Sequence, residues 1–203
     1  MITIYGMTNS GNCYKPRLLL AKLGVPFRHV ETSSGADGTT SALFLAKNPN
    51  GRVPLLEFDD GRVLAESNAM LLHLAEGTRF LPADAYNRAL AYQWLFFEQY
   101  SHEPYIAVRR ALLTMPHRAA DATPERLAAT LAGGKKALQV MEEQLARTAF
   151  LAGAELSVAD IALYAYTHDA EAGGFDLSAW PAVTAWLARV AADPGHVPIR
   201  WVG

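Results

Sequence analysis

Hydrophobic and polar positions near the start of the chain follow two different periods, which predict short strands and amphipathic helices in turn. Residues 2–5 are mostly β-branched or aromatic and precede a glycine, which is typical of a short buried strand. Leucines recur at helical spacing from Cys13 onward, and Gly24 stands where a glycine C-cap belongs. The next segments predict a second strand over residues 25–30 and a short helix over residues 41–47.

A β-hairpin follows and leads directly into another helix. Residues 53–58 and 63–64 are mainly apolar, and the Asp59-Asp60-Gly61 sequence between them is a strong turn signal. Helical spacing returns in residues 67–75. The predicted order is therefore strand, helix, strand, helix, strand, strand, helix, which is typical of a small α/β domain.

Strand signals stop after Gly77, and the rest of the chain predicts helices only. Four alanine-rich and leucine-rich segments have helical spacing and are separated by proline and glycine: residues 86–113, 124–148, 157–172 and 181–192. Because Pro104 lies inside the first of them, we expect a kink or break near residues 101–103. The prediction is an α/β domain over residues 1–77, a linker over 78–85 and an all-helical domain over 86–203.

Composition excludes several classes of function. Among 203 residues, 51% are hydrophobic and 19% charged, which excludes a disordered chain. The 18 basic residues do not outnumber the 20 acidic ones, so we expect no nucleic-acid partner. No apolar run approaches ~20 residues and no secretion signal is evident, so we expect a cytoplasmic protein that does not span a membrane. Cys13 is the only cysteine and the histidines lack metal-site spacing, so neither an internal disulfide nor a metal is predicted.

The loop between the first strand and the first helix is a candidate anion site. It contains Ser10 and Asn12 directly before Cys13. Free main-chain N–H groups and the positive end of the helix dipole favour an anion such as a thiolate at that position. The alternative is that Ser10 or Asn12 only caps the helix.

Pro54 stands at the start of a predicted strand. A cis peptide bond before it would leave the main chain of Val53 free to pair with an extended peptide, although only ~5–6% of X-Pro bonds in folded proteins are cis.

Glu66 and Ser67 lie where the hairpin meets the next helix. There Ser67 and the first helical N–H groups favour a carboxylate, and Glu66 favours an ammonium, so an amino-acid-like ligand would satisfy both. The alternative is an acidic residue beside a capping serine. Later in the chain, Ser157 and Asp160 have the spacing of a capping box, which we interpret as structural.

Together these residues resemble the cytosolic glutathione S-transferases, specifically the bacterial, theta-like and zeta-like branches that use serine. The resemblance covers essentially the whole chain. It implies a thioredoxin-like amino-terminal domain followed by an all-helical domain. The motifs that carry it are Ser10-Gly11-Asn12, Arg17-Leu18-Leu19-Leu20, Asn48-Pro49-Asn50-Gly51-Arg52-Val53-Pro54, Glu66-Ser67, and Gly153 with Ser157-Val158-Ala159-Asp160.

The resemblance implies a role for each site residue. Ser10 would be the catalytic serine, its hydroxyl donating a hydrogen bond to the glutathione thiolate, with Asn12 in the same site. Val53 would pair its main chain with the cysteinyl part of glutathione, and Pro54 would be cis. Glu66 and Ser67 would hold the γ-glutamyl end. Related branches often anchor the glycyl carboxylate with a basic residue or glutamine where this chain has residues 37–40, so Arg52 is the expected substitute.

The implied activity is conjugation of glutathione, as co-substrate, to a small apolar electrophile by a homodimer, which is a detoxification reaction. The electrophile would contact the first long helix of the helical domain. The candidate acceptor residues there are Tyr105, Tyr100, His102 and Arg109. The alternative for the two tyrosines is a place in the core or in the dimer interface.

Two other functions remain open at this stage. A glutathione-dependent thiol reductase or peroxidase would use Cys13, which lies three residues after Ser10, as the second cysteine of a redox pair does. We interpret Cys13 instead as a passive residue of the first helical turn. A non-catalytic member of the fold, acting in binding or protein interaction, is the other alternative.

Overall fold

A computed structural model describes residues 1–203, which divide into two compact units. The first unit contains Met1–Glu76 together with Pro194–Gly203, and the second contains Gly77–Asp193. None of the helices combines the length and the hydropathy needed to cross a membrane.

The first unit is a four-stranded mixed sheet with three helices. The sheet order is β2-β1-β3-β4, with β1 parallel to β2 and antiparallel to β3, and with β3 antiparallel to β4. The strands are β1 (Ile2–Gly6), β2 (Phe27–Glu31), β3 (Leu55–Glu57) and β4 (Val63–Ala65), and the helices are α1 (Gly11–Leu23), α2 (Ala42–Lys47) and α3 (Ser67–Ala75). The thioredoxin-like fold that the resemblance implies is confirmed.

Alternation along β1 distributes its side chains between the two faces of the sheet. Ile4 and its cross-strand partner Leu56 are fully buried in one cluster with Leu20 of α1 and Met70 of α3. Tyr5, the next residue, makes an edge-to-face contact with Phe44 of α2, with ring centroids 6.3 Å apart. The predicted cap of α1 is confirmed, because Gly24 has a left-handed φ of 66° and donates its N–H to the Ala21 carbonyl.

The last ten residues belong to the first unit rather than to the helical one. Tyr14 of α1 donates its hydroxyl to the Val197 carbonyl, and the Trp201 ring packs edge-on against Phe27 of β2 at 5.5 Å. This placement differs from the expectation that one helical domain extends to residue 203. The segment has no regular secondary structure, and it is placed by contacts with α1 and β2 that a sequence pattern does not record.

The second unit is all helical. Its helices are α4 (Ala85–Phe97), α5 (Glu103–Thr114), α6 (Pro124–Leu145), α7 (Val158–Thr167) and α8 (Pro181–Ala192). The break expected around Pro104 is present as a π-helical turn over Glu98–His102 that joins α4 to α5. Pro104 is the second residue of α5 and has no N–H to donate, so the helical hydrogen bonds are interrupted where the π-helical turn meets α5.

The predicted capping box at the start of α7 is confirmed. Asp160 is completely buried, and its carboxylate accepts from four donors. These are the N–H groups of Leu151 and Ser157 at 2.9 Å, the Trp186 indole Nε1 at 2.9 Å and the Ser157 hydroxyl at 3.1 Å. Asp160 therefore joins the start of α7 to α8 as well as capping its own helix.

Candidate active site

Ser10 is the N-cap of α1. Its backbone is extended, with φ −85° and ψ 127°, and its Oγ accepts from the Cys13 N–H at 3.4 Å. The capping role considered from sequence is thus present, and it uses a lone pair of the hydroxyl oxygen rather than the hydroxyl hydrogen. Because a hydroxyl oxygen that accepts a hydrogen bond becomes a better donor, the cap also prepares Ser10 to stabilise an anion.

The loop that carries Ser10 is held from its other side by Glu31, the last residue of β2. The Glu31 carboxylate accepts from the Thr8 N–H at 3.1 and 3.2 Å and also from the Thr8 hydroxyl. Burial opposes the charge on Glu31, but the hydrogen bonds from Thr8 and His29 outweigh it and lower the pKa of this carboxyl. The carboxylate is therefore charged at neutral pH and fixes the loop just before Ser10.

Cys13 faces the interior of the first unit. Its side chain is 0% exposed, and its Sγ accepts from the Met7 N–H at 3.3 Å. Burial raises the pKa of the Cys13 thiol, although hydrogen bonds from Ser10 and Met7 act in the opposite direction. A neutral, inaccessible thiol is a poor nucleophile, which supports the interpretation of Cys13 as a passive residue.

The start of α3 brings Ser67 and Asn12 together. The Ser67 hydroxyl donates to Asn12 Oδ1 at 3.2 Å and accepts from the Lys15 Nζ at 3.3 Å. Lys15 also donates to Asn68 Oδ1 at 3.2 Å and is completely buried. A buried ammonium beneath the N-terminus of α3 adds positive charge where a carboxylate ligand is expected.

Sequence reasoning missed Lys15, although a signal was available. Lys15 precedes Leu18 and Leu19 by three and four residues, so it lies on the apolar face of α1. A charged residue on such a face requires a polar partner, because an unpaired buried charge is too costly.

Glu66 has an unusual backbone conformation. It is the only non-glycine residue with positive φ, at +67°, and its side chain is exposed without a capping hydrogen bond. Such a conformation costs about 1–3 kcal/mol and is concentrated at ligand-binding positions. The geometry thus favours a functional role for Glu66 over a simple capping role.

The Val53–Pro54 peptide bond is cis, as the resemblance implies. The turn before it is held by Asn48, whose Nδ2 donates to the Arg52 carbonyl at 2.8 Å. The main-chain N–H and C=O of Val53 have no hydrogen-bond partner within the chain, and the Arg52 side chain is exposed. Both residues are therefore available to an extended ligand, as the resemblance implies.

The four candidate acceptor residues have different surroundings within the helical unit. His102 is 0% exposed with its Nε2 2.9 Å from the Thr167 hydroxyl, whereas Tyr100 is 85% exposed. Arg109 donates from Nε to the Gly173 carbonyl at 2.7 Å and from Nη1 to the Leu127 carbonyl. Half-buried Tyr105 lies over Gly133 of α6 so closely that a Cβ on that glycine would come within 2.2 Å of its ring.

His102 and Arg109 thus hold neighbouring segments of the helical unit together. Tyr100 and Tyr105 keep surface that a ligand can reach.

No three side chains of histidine, cysteine, aspartate or glutamate are grouped so that they would hold a metal ion.

Comparison with known proteins gives two family matches. The model "Glutathione S-transferase, N-terminal domain" matches residues 1–76, and the model "Glutathione S-transferase, C-terminal domain" matches residues 124–189. The chain is 33% identical to mouse glutathione S-transferase theta-3 over 194 residues, covering 91% of this chain and 79% of that protein. It is 28% identical to the disulfide-bond oxidoreductase YfcG of Escherichia coli K12 over 201 residues, covering 96% and 92% of the two chains. The crystal structure of a glutathione S-transferase from Pseudomonas fluorescens superposes with a TM-score of 0.94 at 49% identity, covering 98% of each chain.

Proposed function

The chain belongs to the glutathione S-transferase family and is a glutathione transferase, and we propose that it conjugates the thiolate of reduced glutathione to a small apolar electrophile. The observation that carries the proposal is the Ser10 hydroxyl, which lies at the N-terminus of α1 with its oxygen already accepting a main-chain N–H. That arrangement offers a hydroxyl donor and a helix N-terminus to one anion.

Ser10 and the N-terminus of α1 can supply the free energy needed to keep the glutathione thiol ionised. Lowering a thiol pKa from ~8.5 to ~6.5 requires ~2.7 kcal/mol of preference for the thiolate. A hydrogen bond to a charged acceptor contributes ~1.5–3 kcal/mol and a helix N-terminus ~0.3–1 kcal/mol. Ser10 and α1 therefore stabilise the thiolate without a general base.

Each part of glutathione has a partner in the first unit. We assign the cysteinyl main chain to Val53, the γ-glutamyl carboxylate to the start of α3 at Ser67, and the γ-glutamyl ammonium to Glu66. We assign the glycyl carboxylate to Arg52, whose side chain is exposed, and include Asn12 in the site because it accepts a hydrogen bond from Ser67. The thiol proton passes to solvent. The thiolate then attacks the electrophilic carbon, so that a sulfur–carbon bond forms while the leaving group departs or a π bond opens.

Titration with reduced glutathione tests this proposal. The absorbance of bound thiolate, followed from about pH 5 to 9, should report a pKa well below that of the free thiol. Turnover with a chloronitroaromatic electrophile should follow the same curve. Glutathione bound only as the neutral thiol would contradict the mechanism, and absence of glutathione binding would leave the non-catalytic interaction role.

The second candidate function, a glutathione-dependent disulfide reductase, is favoured by the similarity to YfcG. Replacing Cys13 with serine keeps a small polar acceptor for the Met7 N–H and removes the thiol. We expect Cys13→Ser to retain conjugation within about twofold, because the native thiol is buried and its pKa is raised. Disulfide reductase activity in the wild type that is lost in Cys13→Ser would instead establish the redox function.

Substitutions at the start of α3 should affect binding more than thiolate formation. We expect Glu66→Ala and Ser67→Ala each to weaken glutathione affinity by about 5- to 30-fold, because each removes a hydrogen bond to a charged group worth about 1–2 kcal/mol. The pKa of the bound thiol should change little. Calorimetric titration measures the affinity, and Glu143→Ala on the exposed face of α6 is the control. Unchanged glutathione affinity in both variants would show that the ligand lies elsewhere.

Tyr105 is the acceptor residue to which we commit. We expect Tyr105→Ala to raise the KM for the electrophile several-fold and to leave glutathione binding within about twofold, since it removes contacts with one substrate only. Because the ring also covers Gly133, Tyr105→Phe is the control that keeps this packing and removes the hydroxyl. Unchanged electrophile kinetics, or loss of folding in both variants, would return Tyr105 to a structural role.

We further propose that the protein acts as a cytoplasmic homodimer. Phe96 and Tyr100 lie four residues apart along the α4 segment and its π-helical extension and are 73% and 85% exposed. Neighbouring exposed aromatic side chains are typical of a surface that a partner covers. Light scattering should give twice the 22.1 kDa mass of the chain, and a monomeric mass at micromolar concentration would contradict the proposal.

A further inference from the structure

Arg17 of α1 is a fully buried cation whose hydrogen bonds all go to main-chain carbonyls. Two of these carbonyls flank the loop that carries Ser10, and two belong to the last residues of the chain. The bonds run from Nε to Cys13 at 3.1 Å, from Nη2 to Thr8 at 2.7 Å, from Nη2 to Ile199 at 2.9 Å and from Nη1 to Trp201 at 3.1 Å.

We propose that Arg17 and the terminal segment Pro194–Gly203 position the Ser10 hydroxyl for the thiolate, an inference that rests on the proposed transferase function. Thr8 precedes Ser10 by two residues and Cys13, in the first turn of α1, follows it by three, so one guanidinium bonds to the main chain on both sides of Ser10. Cys13 is also the residue whose N–H donates to Ser10 Oγ. Displacement of either carbonyl would therefore change where the serine hydroxyl points.

The terminal segment is needed to keep the guanidinium in that geometry. Burial lowers the pKa of Arg17, and the N–H groups of its buried guanidinium need hydrogen-bond acceptors because they have no access to water. Ile199 and Trp201 supply two of its four carbonyl acceptors. Without these two carbonyls, buried N–H groups of Arg17 would lack acceptors. The side chain would then recover hydrogen bonds by turning away from the Ser10 loop toward water.

The segment also has attachments of its own that do not involve Arg17. Tyr14 donates to the Val197 carbonyl, and Trp201 packs against Phe27. At Gly195 the backbone has φ +78° and passes so close to α1 that a Cβ would lie 2.7 Å from the Lys22 Cα. The Tyr14 hydrogen bond therefore offers a matched control, because its loss removes one attachment of the segment and leaves the hydrogen bonds of Arg17 to Ile199 and Trp201 in place.

A positioning role predicts a specific kinetic signature. Hydrogen bonds weaken steeply with misalignment, so a displaced Ser10 hydroxyl stabilises the thiolate less while the residues that bind the rest of glutathione are unchanged. A lysine at position 17 keeps the charge but lacks the planar fork that reaches several carbonyls at once. The effect is thus expected in the pKa of the bound thiol and in kcat rather than in the KM for glutathione.

The experiment compares wild type, Arg17→Lys, a chain ending at Pro198, and Tyr14→Phe, each with reduced glutathione and one chloronitroaromatic electrophile. We expect Arg17→Lys and the shortened chain to raise the pKa of the bound thiol by about one unit, which lowers kcat near pH 6.5 about five- to tenfold. The KM for glutathione should stay within about twofold. Tyr14→Phe should lower the melting temperature and leave the thiol pKa at the wild-type value.

The outcomes separate this inference from the function on which it rests. A wild type that holds glutathione only as the neutral thiol overturns both. If the wild type lowers the thiol pKa and both Arg17→Lys and the shortened chain lower it equally, the positioning role alone is overturned. If Arg17→Lys or the shortened chain does not fold, the thiol pKa of the other variant decides whether the positioning role holds. If Tyr14→Phe shifts the thiol pKa as much as these variants do, the effect comes from general loosening of the segment and the positioning role is overturned.

Discussion

Replacing Ser10 with alanine is expected to lower the conjugation rate at neutral pH by roughly 10- to 150-fold. The change removes one hydrogen bond to the thiolate, worth ~1.5–3 kcal/mol, while the contacts that bind the rest of glutathione remain. The pKa of the bound thiol should rise toward its free value, and glutathione affinity should change much less. Ultraviolet titration of the bound thiolate and steady-state kinetics across pH measure the two effects in one preparation.

The same substitution removes the N-cap of α1, which by itself costs about 1 kcal/mol of stability. Thr123→Ala removes the corresponding cap of α6 in the helical unit and is the control for that loss. Unchanged activity in Ser10→Ala would exclude the serine mechanism and direct attention to Asn12. Tyr5 is a weaker substitute, because its hydroxyl already donates to Glu57 and accepts from Lys47.

Replacing Asp160 with asparagine should produce the largest loss of stability, about 2–4 kcal/mol in the free energy of unfolding. The carboxylate accepts four hydrogen bonds in a fully buried position. An amide presents an NH₂ group to at least one of these donors, so buried N–H groups lose their acceptor. Urea unfolding followed by circular dichroism measures the change.

Ser157→Ala is the matched control for Asp160→Asn. It removes the other side chain of the capping box and is expected to cost only about 1 kcal/mol, because the carboxylate keeps its three N–H donors. If Asp160→Asn were no more destabilising than Ser157→Ala, the hydrogen bonds that Leu151 and Trp186 donate to Asp160 would contribute little to stability. Asp160 would then be an ordinary helix cap.

The amino-acid sequence alone was sufficient to predict most of the helices and strands and to supply the motifs from which the site is proposed. The strand β1, the cap at Gly24, the helix α3 and the capping box of Ser157 and Asp160 all depend on residues within a few positions of one another. Local periodicity and local hydrogen bonding determine such features, so a pattern reveals them. The resemblance to glutathione transferases rests on the same kind of short, ordered motif.

The surroundings of the site depend on contacts between residues far apart in sequence. Lys15 reaches Ser67 across 52 positions, and Arg17 reaches Ile199 and Trp201 across 182 and 184. No periodicity links such residues, because their pairing follows from how the helices and the terminal segment pack around one core. Only the tertiary structure could therefore show that the end of the chain belongs to the first unit, or that buried cations support the residues proposed to bind glutathione.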